Sequence, residues 1–337
     1  MTKAFFADDI KIAVIGGGTG SFTLLSELKN RTDAIAALVN MADDGGSTGV
    51  LRDELGALPP GDIRQCLVAL SDSPDLRDLF NYRFDEGTFK GHAFGNIFLS
   101  ALERMTGDFA KGVKVASDVL NITGAVEPIT LTNSTLKVET ADGEVIDGQF
   151  AIAHHAFSGR DARVYLEPHA VANPQALKAI ARADIVVIAP GNLYGSLAPA
   201  LLAEGVGEAL QDSKALKLYV CNLVTKPGQT DGYTVTDFAD EIERLAGTKF
   251  LDAVLYNTDK PSAELLERYA AEGELAVEYD EKEARNAHYD VIGAHLLSGR
   301  IWKNTNKADP IAAARTLIRH DPVAAADAIL ELYRARS

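Results

Sequence analysis

Five short segments concentrate the side chains and glycines that can handle a polar ligand. They are GGGTGS (16–21), NMADDGGSTG (40–49), PGNLYGS (190–196), NLVTKPGQTDG (222–232) and NTDKP (257–261). In the first, Gly16, Gly17, Gly18, Thr19 and Gly20 form a loop whose backbone can approach an anion closely and point N–H groups at it. In the second, Asp43 and Asp44 precede Gly45, Gly46 and Ser47, and Asp62 follows as a third carboxylate. Asp44 and Asp62 are the candidate metal pair and the candidate catalytic acids, since Mg²⁺ favours one or two carboxylates plus ligand oxygens. The plainer alternative is an Asx-turn at Asp44 and a helix cap at Asp62. Arg52 and Arg64 are candidate phosphate cations, or ion-pair partners of neighbouring acids. His92 and Asn96 stand at the start of a helical stretch; Asn96 is the better placed to reach a ligand. In the later segments the candidate ligand contacts are Gly191, Asn192, Tyr194, Ser196, Asn222, Thr225 and Asp231.

The glycine loop matches neither of the two common phosphate fingerprints. Gly16-x-Gly18 fits the dinucleotide pattern, but Ser21 takes the third glycine position and Asn40 stands where a ribose-binding acid is expected. No Gly-Lys-Ser/Thr follows, so it is not a P-loop. An NAD-dependent dehydrogenase is accordingly the weakest enzyme reading.

The elements that must position these segments follow from hydrophobic period. KIAVIG (11–16) and AIAALV (34–39) are short apolar runs ended by polar turns, which is how a strand buried on both faces reads. SFTLLSELKNR between them has helical spacing, giving a βαβ unit and a parallel sheet. Residues 60–120 read as helices. EPITLTNSTLKVETADGEVIDGQFAIAHH alternates, with a hairpin turn at Asp142-Gly143, so residues 125–167 are assigned to a β-rich insertion. IVVIAP, LKLYV and LDAVLY are further buried strands, and KADPIAAARTLIRHDPVAAADAILELY supplies two terminal helices. The expected fold is α/β: a Rossmann-like, doubly wound, mainly parallel sheet with a helical segment and a β-rich insertion. The expectation is one domain over residues 1–337. In such sheets ligands bind beyond the carboxyl ends of the strands, where all five segments fall.

The net charge of −15 argues against nucleic acid or an anionic membrane surface as partner. No apolar run approaches the length of a membrane span, and the N-terminus lacks the pattern of a signal peptide. A cytoplasmic location is expected. Cys66 and Cys221 sit in apolar runs and read as buried thiols. His154 and His155 read as surface residues.

The segments VIGGGTG, ADDGGSTGVLRDELGALPPGDIRQCLVALSD, GHAFGNIFLSALERMTGDF, APGNLYGSLAP and CNLVTKPGQTDGY together resemble the gluconeogenesis-factor proteins of bacteria, relatives of 2-phospho-L-lactate transferase. The likeness runs from about residue 10 to 260 and more loosely to Arg319–Asp321. It implies a dimer and a nucleotide-sugar ligand of the UDP-N-acetylglucosamine type, with a role linking central carbon metabolism to cell shape and wall synthesis. It also carries Tyr269 and Arg319 into the sugar-nucleotide pocket. The transferase branch implies Mg²⁺, a nucleotide diphosphate donor and a deazaflavin acceptor. One Trp and no aromatic cluster beside the glycine loops speak against a flavin-like ring here. Pro322 stands where that family often carries a phosphorylatable Thr.

Overall fold

The computed structural model describes residues 10–299 and 319–336. Seven parallel strands form the main sheet in the order β10-β9-β8-β7-β1-β2-β3. Their ranges are β1 (Ile12–Gly16), β2 (Ile35–Val39), β3 (Ala125–Pro128), β7 (Ile185–Ile188), β8 (Leu216–Val220), β9 (Ala253–Asn257) and β10 (Asp290–Ala294). Every residue of β1 and β7 is buried, because helices cover both faces of the sheet. The first helix, α1 (Gly18–Leu28), directs Leu24, Leu25 and Leu28 into the core. It packs against α3 (Gly61–Leu70) and the C-terminal helix Pro322–Arg336.

From β1 the chain builds outward through β2 to β3, then returns to β7 on the other side of β1 and builds outward again to β10. The winding therefore reverses between β1 and β7. The loops leaving their carboxyl ends diverge there and open a crevice.

Two further helices belong to the region between β2 and β3, α2 (Gly46–Leu55) and α4 (Pro74–Asn81). The α5 (Phe94–Thr106) and α6 (Phe109–Leu120) hairpin completes it. Gly107, at φ 67°, stops α5, and Asp108 opens α6 by accepting the Lys111 N–H at 3.2 Å. Gly107-Asp108 is thus a left-handed stop followed at once by a cap.

The β-rich segment needs a corrected boundary. Ala125–Pro128 is β3 and pairs in parallel with β2, as the edge of the main sheet. The small antiparallel sheet contains only β4 (Thr135–Glu139), β5 (Val145–Asp147) and β6 (Arg163–Glu167), in the order β5-β4-β6. A short helix, α7 (Gln149–His154), follows β5. Of the two terminal helices, the second is present as Pro322–Arg336, with Pro322 at its start; the first lies outside the described residues. The strand β10 has no counterpart in the sequence reading, since DVIGA is short, only half buried and interrupted by glycine.

Candidate functional site

A cavity of about 1030 Å³ lies at the carboxyl ends of the strands, over the β1/β7 reversal. Four of the five loops line it: those after β1, β2, β7 and β8. The fifth does not. Asn257, Asp259 and Pro261 instead line a separate small cavity of about 50 Å³, which shares Asn222 and Leu223 with the large one.

The glycines of the first loop serve the protein as much as any ligand. A Cβ on Gly17 would collide with the Asp62 carboxylate, and one on Gly20 would collide with the Pro190 carbonyl. The loop is therefore wedged between α3 and the β7 loop, and Gly18 takes a left-handed turn at φ 64°. Gly17 and Gly45 open α1 and α2 with no side chain of their own to cap them, and residues of both first turns line the cavity. The Gly18 N–H is taken by Asp62 and the Thr48 N–H by the Gly45 carbonyl at 3.0 Å. Helix starts of this kind carry partial positive charge.

Among the carboxylates, Asp43 and Asp62 meet at the cavity wall. Asp62 is buried in the first turn of α3; it accepts from Asn40 Nδ2 at 3.4 Å and from the Gly18 N–H. Burial, and then the charge of Asp43, push its pKa up to about 7, against the pull of Asn40, Gly18 and Arg64. Burial likewise raises Asp43, opposed by hydrogen bonds from the Gly45 N–H at 3.1 Å and the Thr48 hydroxyl. The Asx-turn therefore belongs to Asp43. Asn40, which breaks the dinucleotide pattern, holds Asp62 while its Oδ1 accepts the Ala42 N–H at 3.0 Å.

Asp44 is turned away from this pair, a correction to the metal set of Asp44 and Asp62. Its Oδ1 accepts the Phe150 N–H at 2.7 Å, capping α7. Arg52 is also corrected: its guanidinium donates to the Ser134 carbonyl at 2.8 Å and to Thr135 Oγ1 at 3.2 Å, docking the small sheet. Arg64 lies at the wall and donates to Asn96 Oδ1 at 3.0 Å and to Asn81 Oδ1.

The remaining candidates divide in the same way. Thr19, Gly45, Gly46, Ser47, His92, Asn96, Gly191, Asn192, Ser196, Asn222, Thr225 and Arg319 reach the cavity. Asn192 accepts the Gly195 N–H at 2.9 Å, and Asn222 Nδ2 donates to the Gly191 carbonyl at 2.7 Å, latching the β7 and β8 loops together. Four others do not line it. Tyr194 is wholly buried, its hydroxyl 3.0 Å from that of Tyr233. Tyr269 is buried within the helix Ala263–Ala271, and Asp231 is exposed away from the cavity. Gly16 ends β1 beneath the loop.

Residues that sequence reasoning missed also reach the wall. α7 brings Phe150 beside Gly45 of the second loop, so an aromatic side chain does stand beside the glycines; His154 is exposed, as expected, and also lines the cavity. Arg83, Lys90, Lys226 and His320 add polar lining. The only sequence signal for these was their position near the quoted motifs. Burial holds the His320 pKa down at about 4, so this ring is neutral, and its Nε2 lies 3.0 Å from the Cys221 carbonyl. Burial pushes the Cys221 thiol up to about 12, in keeping with an inert thiol.

Among the described residues no group of three or more His, Cys, Asp or Glu is placed to hold a metal. Asp43 and Asp62 are nonetheless hard oxygen donors whose ionised forms repel one another. That donor set fits Mg²⁺ completed by ligand phosphate oxygens, with Asp43 replacing Asp44 in the pair.

The fold and the cavity define an α/β protein with a large crevice at its switch point. The chain belongs to the family described as 2-phospho-L-lactate transferase CofD, whose profile matches residues 12–297. It is 37% identical over 327 residues to the gluconeogenesis factor of Bacillus subtilis, covering 96% of this chain and 98% of that one. It is 42% identical over 275 residues to the gluconeogenesis factor of Halalkalibacterium halodurans, covering 80% of this chain and 84% of that one. A crystal structure of a UPF0052 family member from Bacillus halodurans superposes with a TM-score of 0.87 at 36% identity, over 96% of this chain and 100% of that one. Some relatives are matched over their full length, while this chain spans 65% and 63% of two longer ones. Among the described residues no helix is long and apolar enough to cross a membrane.

Proposed function

We propose that this chain is a cytoplasmic, dimeric, single-domain regulator that binds a nucleotide sugar of the UDP-N-acetylglucosamine type and links central carbon metabolism to cell shape and wall synthesis. The observation that carries the binding reading is the pair of helix N-termini, of α1 and α2, whose first turns line one cavity at the sheet's reversal. A diphosphate there would meet backbone donors without needing a cationic surface, as the net charge of −15 requires. The sugar and base would lie toward Asn192, Asn222, Thr225 and Arg319. Similarity to gluconeogenesis factors supports the metabolic part of the reading.

Calorimetric titration with UDP-N-acetylglucosamine, UDP-glucose, NAD and GDP tests it. UDP-N-acetylglucosamine is expected to bind most tightly and to raise the melting temperature. If no UDP-sugar does either, the reading fails.

The buried Asp43/Asp62 pair supports a second reading, a transferase moving a phospho-acyl group from a nucleotide diphosphate donor. Asp43 and Asp62 would hold Mg²⁺, which would neutralise charge on the diphosphate. Asn40 and the Gly18 N–H would keep Asp62 oriented, and Arg64 would balance the carboxylates. Magnesium-dependent release of GMP or UMP when an acceptor is supplied would favour this reading over the first.

A further inference from the structure

Between α4 and α5 the chain makes a hairpin-like arm, residues 82–94. The Phe84 N–H donates to the His92 carbonyl at 3.0 Å, the Gly91 N–H to the Phe84 carbonyl at 2.8 Å and the Phe94 N–H to the Tyr82 carbonyl at 2.8 Å. One side of the arm is an aromatic cluster, with Tyr82, Phe84 and Phe89 at centroid spacings of 5.2 and 5.6 Å. From the same arm Arg83, Lys90 and His92 line the large cavity. In a chain with 48 acidic residues, three potentially cationic side chains converge here. Lys90 has no carboxylate partner among the described residues, and the Arg83 guanidinium has only the Gly91 carbonyl.

A hydrogen-bond chain behind His92 holds its ring in place. Arg64 Nε has only hydrogens to give, so Asn96 must present Oδ1 to it at 3.0 Å. That orientation turns Asn96 Nδ2 toward Ser47, where it donates to Oγ at 3.3 Å. The Ser47 Oγ in turn lies 3.1 Å from His92 Nδ1. His92 Nε2 has no partner among the described residues. Arg64, Asn96 and Ser47 thus hold the ring through its Nδ1 edge and leave Nε2 available.

We propose that Arg83, Lys90 and His92 form a second anion subsite, distinct from the glycine-loop end, which takes the phosphoryl group of a small phosphorylated molecule. A point charge, a planar fork and an imidazole held with Nε2 unpartnered, all from one arm, suit the several oxygens of a phosphoryl group. The cavity has room for this ligand beside a nucleotide, since about 1030 Å³ is at the upper end for a site holding one small molecule. The subsite does not depend on which nucleotide the glycine loops take.

The probe is inorganic phosphate, titrated calorimetrically into the free protein and into protein saturated with UDP-N-acetylglucosamine. The variants are Arg83→Gln/Lys90→Gln, which keeps the arm's backbone bonds, and Ser47→Ala, which releases the Nδ1 edge of the His92 ring. Phosphate is expected to bind in the presence of the nucleotide sugar. The double variant should lose about tenfold or more in phosphate affinity, and Ser47→Ala severalfold, with nucleotide-sugar affinity changed by less than about twofold in the double variant. Strict one-for-one competition between phosphate and the nucleotide sugar would overturn the second subsite while leaving the proposed function standing. Unchanged phosphate affinity in the double variant, with its melting temperature preserved, would also overturn it. If no nucleotide sugar binds, yet phosphate binds to the parent and not to the double variant, the subsite stands and the proposed function fails. Should the double variant not fold, Lys90→Gln alone, at an exposed position, carries the same expectation with a smaller loss.

Discussion

Asp44 Oδ1 accepts the backbone N–H of Phe150 at 2.7 Å, across 106 residues of sequence. This bond ties the second glycine loop to α7 of the small-sheet region, and with it fixes the cavity wall that carries Phe150 and His154.

Replacing Asp44 separates its capping role from metal binding. Asp44→Asn keeps an acceptor oxygen, and its melting temperature and nucleotide-sugar affinity should stay near the parent's. Asp44→Ala leaves the Phe150 N–H without its partner and should cost about 1 kcal/mol in chemical denaturation. A magnesium-dependent loss of affinity in Asp44→Asn would show that Asp44, not Asp43, is the ligand.

Asp62 makes stability depend on pH in a definite direction. Its folded pKa of about 7 lies above the unfolded value, near 3.9, so the native state holds a proton that the unfolded chain has released. Stability should therefore fall as pH rises from about 4 to about 7, and the full penalty should stand above that. Asp62→Asn removes the penalty. It should be more stable than the parent by about 1–3 kcal/mol at pH 8 and no more stable near pH 4. Denaturant melts at the two pH values check this, and an equal effect at both would contradict the buried ionisation.

Magnesium gives a complementary measurement. If Asp43 and Asp62 hold it together with ligand oxygens, Mg²⁺ added with nucleotide should raise the parent's melting temperature at pH 8 more than at pH 5, where Asp62 is protonated. The same addition to Asp62→Asn should have little effect. Equal magnesium stabilisation of parent and variant would remove the pair from consideration.

Gly20 is set by the protein's own packing. A Cβ there would meet the Pro190 carbonyl, a backbone group that cannot swing aside. Gly20→Ala should cost about 3 kcal/mol or more, or prevent folding, whether or not nucleotide is present. Soluble expression and thermal melts test this; a variant of normal stability that only lost ligand affinity would assign the glycine to the ligand instead.

Asn222→Ala should weaken both stability and binding, since both ends of its amide hold Gly191. Nδ2 donates to the Gly191 carbonyl at 2.7 Å, and Oδ1 accepts its N–H at 3.3 Å. A loss of about 1–3 kcal/mol is expected in denaturant melts, together with weaker nucleotide-sugar binding. Binding lost without any loss of stability would make Asn222 a direct contact rather than a latch.

The chain's own order determined the parallel sheet and the end at which a ligand would sit. Runs such as IAVIG and IVVI are apolar without alternation, which only a strand covered on both faces tolerates, and each is punctuated by glycine, proline or asparagine. Those signals are local, and they survive in a one-dimensional reading. Which of two adjacent aspartates faces the cavity is not local. It turns on the path of one loop and on α7, which arrives from 106 residues away to take Asp44. For the same reason Arg52 reads as a phosphate cation but binds Ser134, and Tyr194 reads as a loop contact but is sealed against Tyr233. Lys90, Phe150 and His154 carried no motif, and only packing brought them to the wall. Hydrophobic period specifies which faces are buried, whereas the direction of a polar side chain is fixed by partners supplied from distant parts of the chain, and only the tertiary structure decided those.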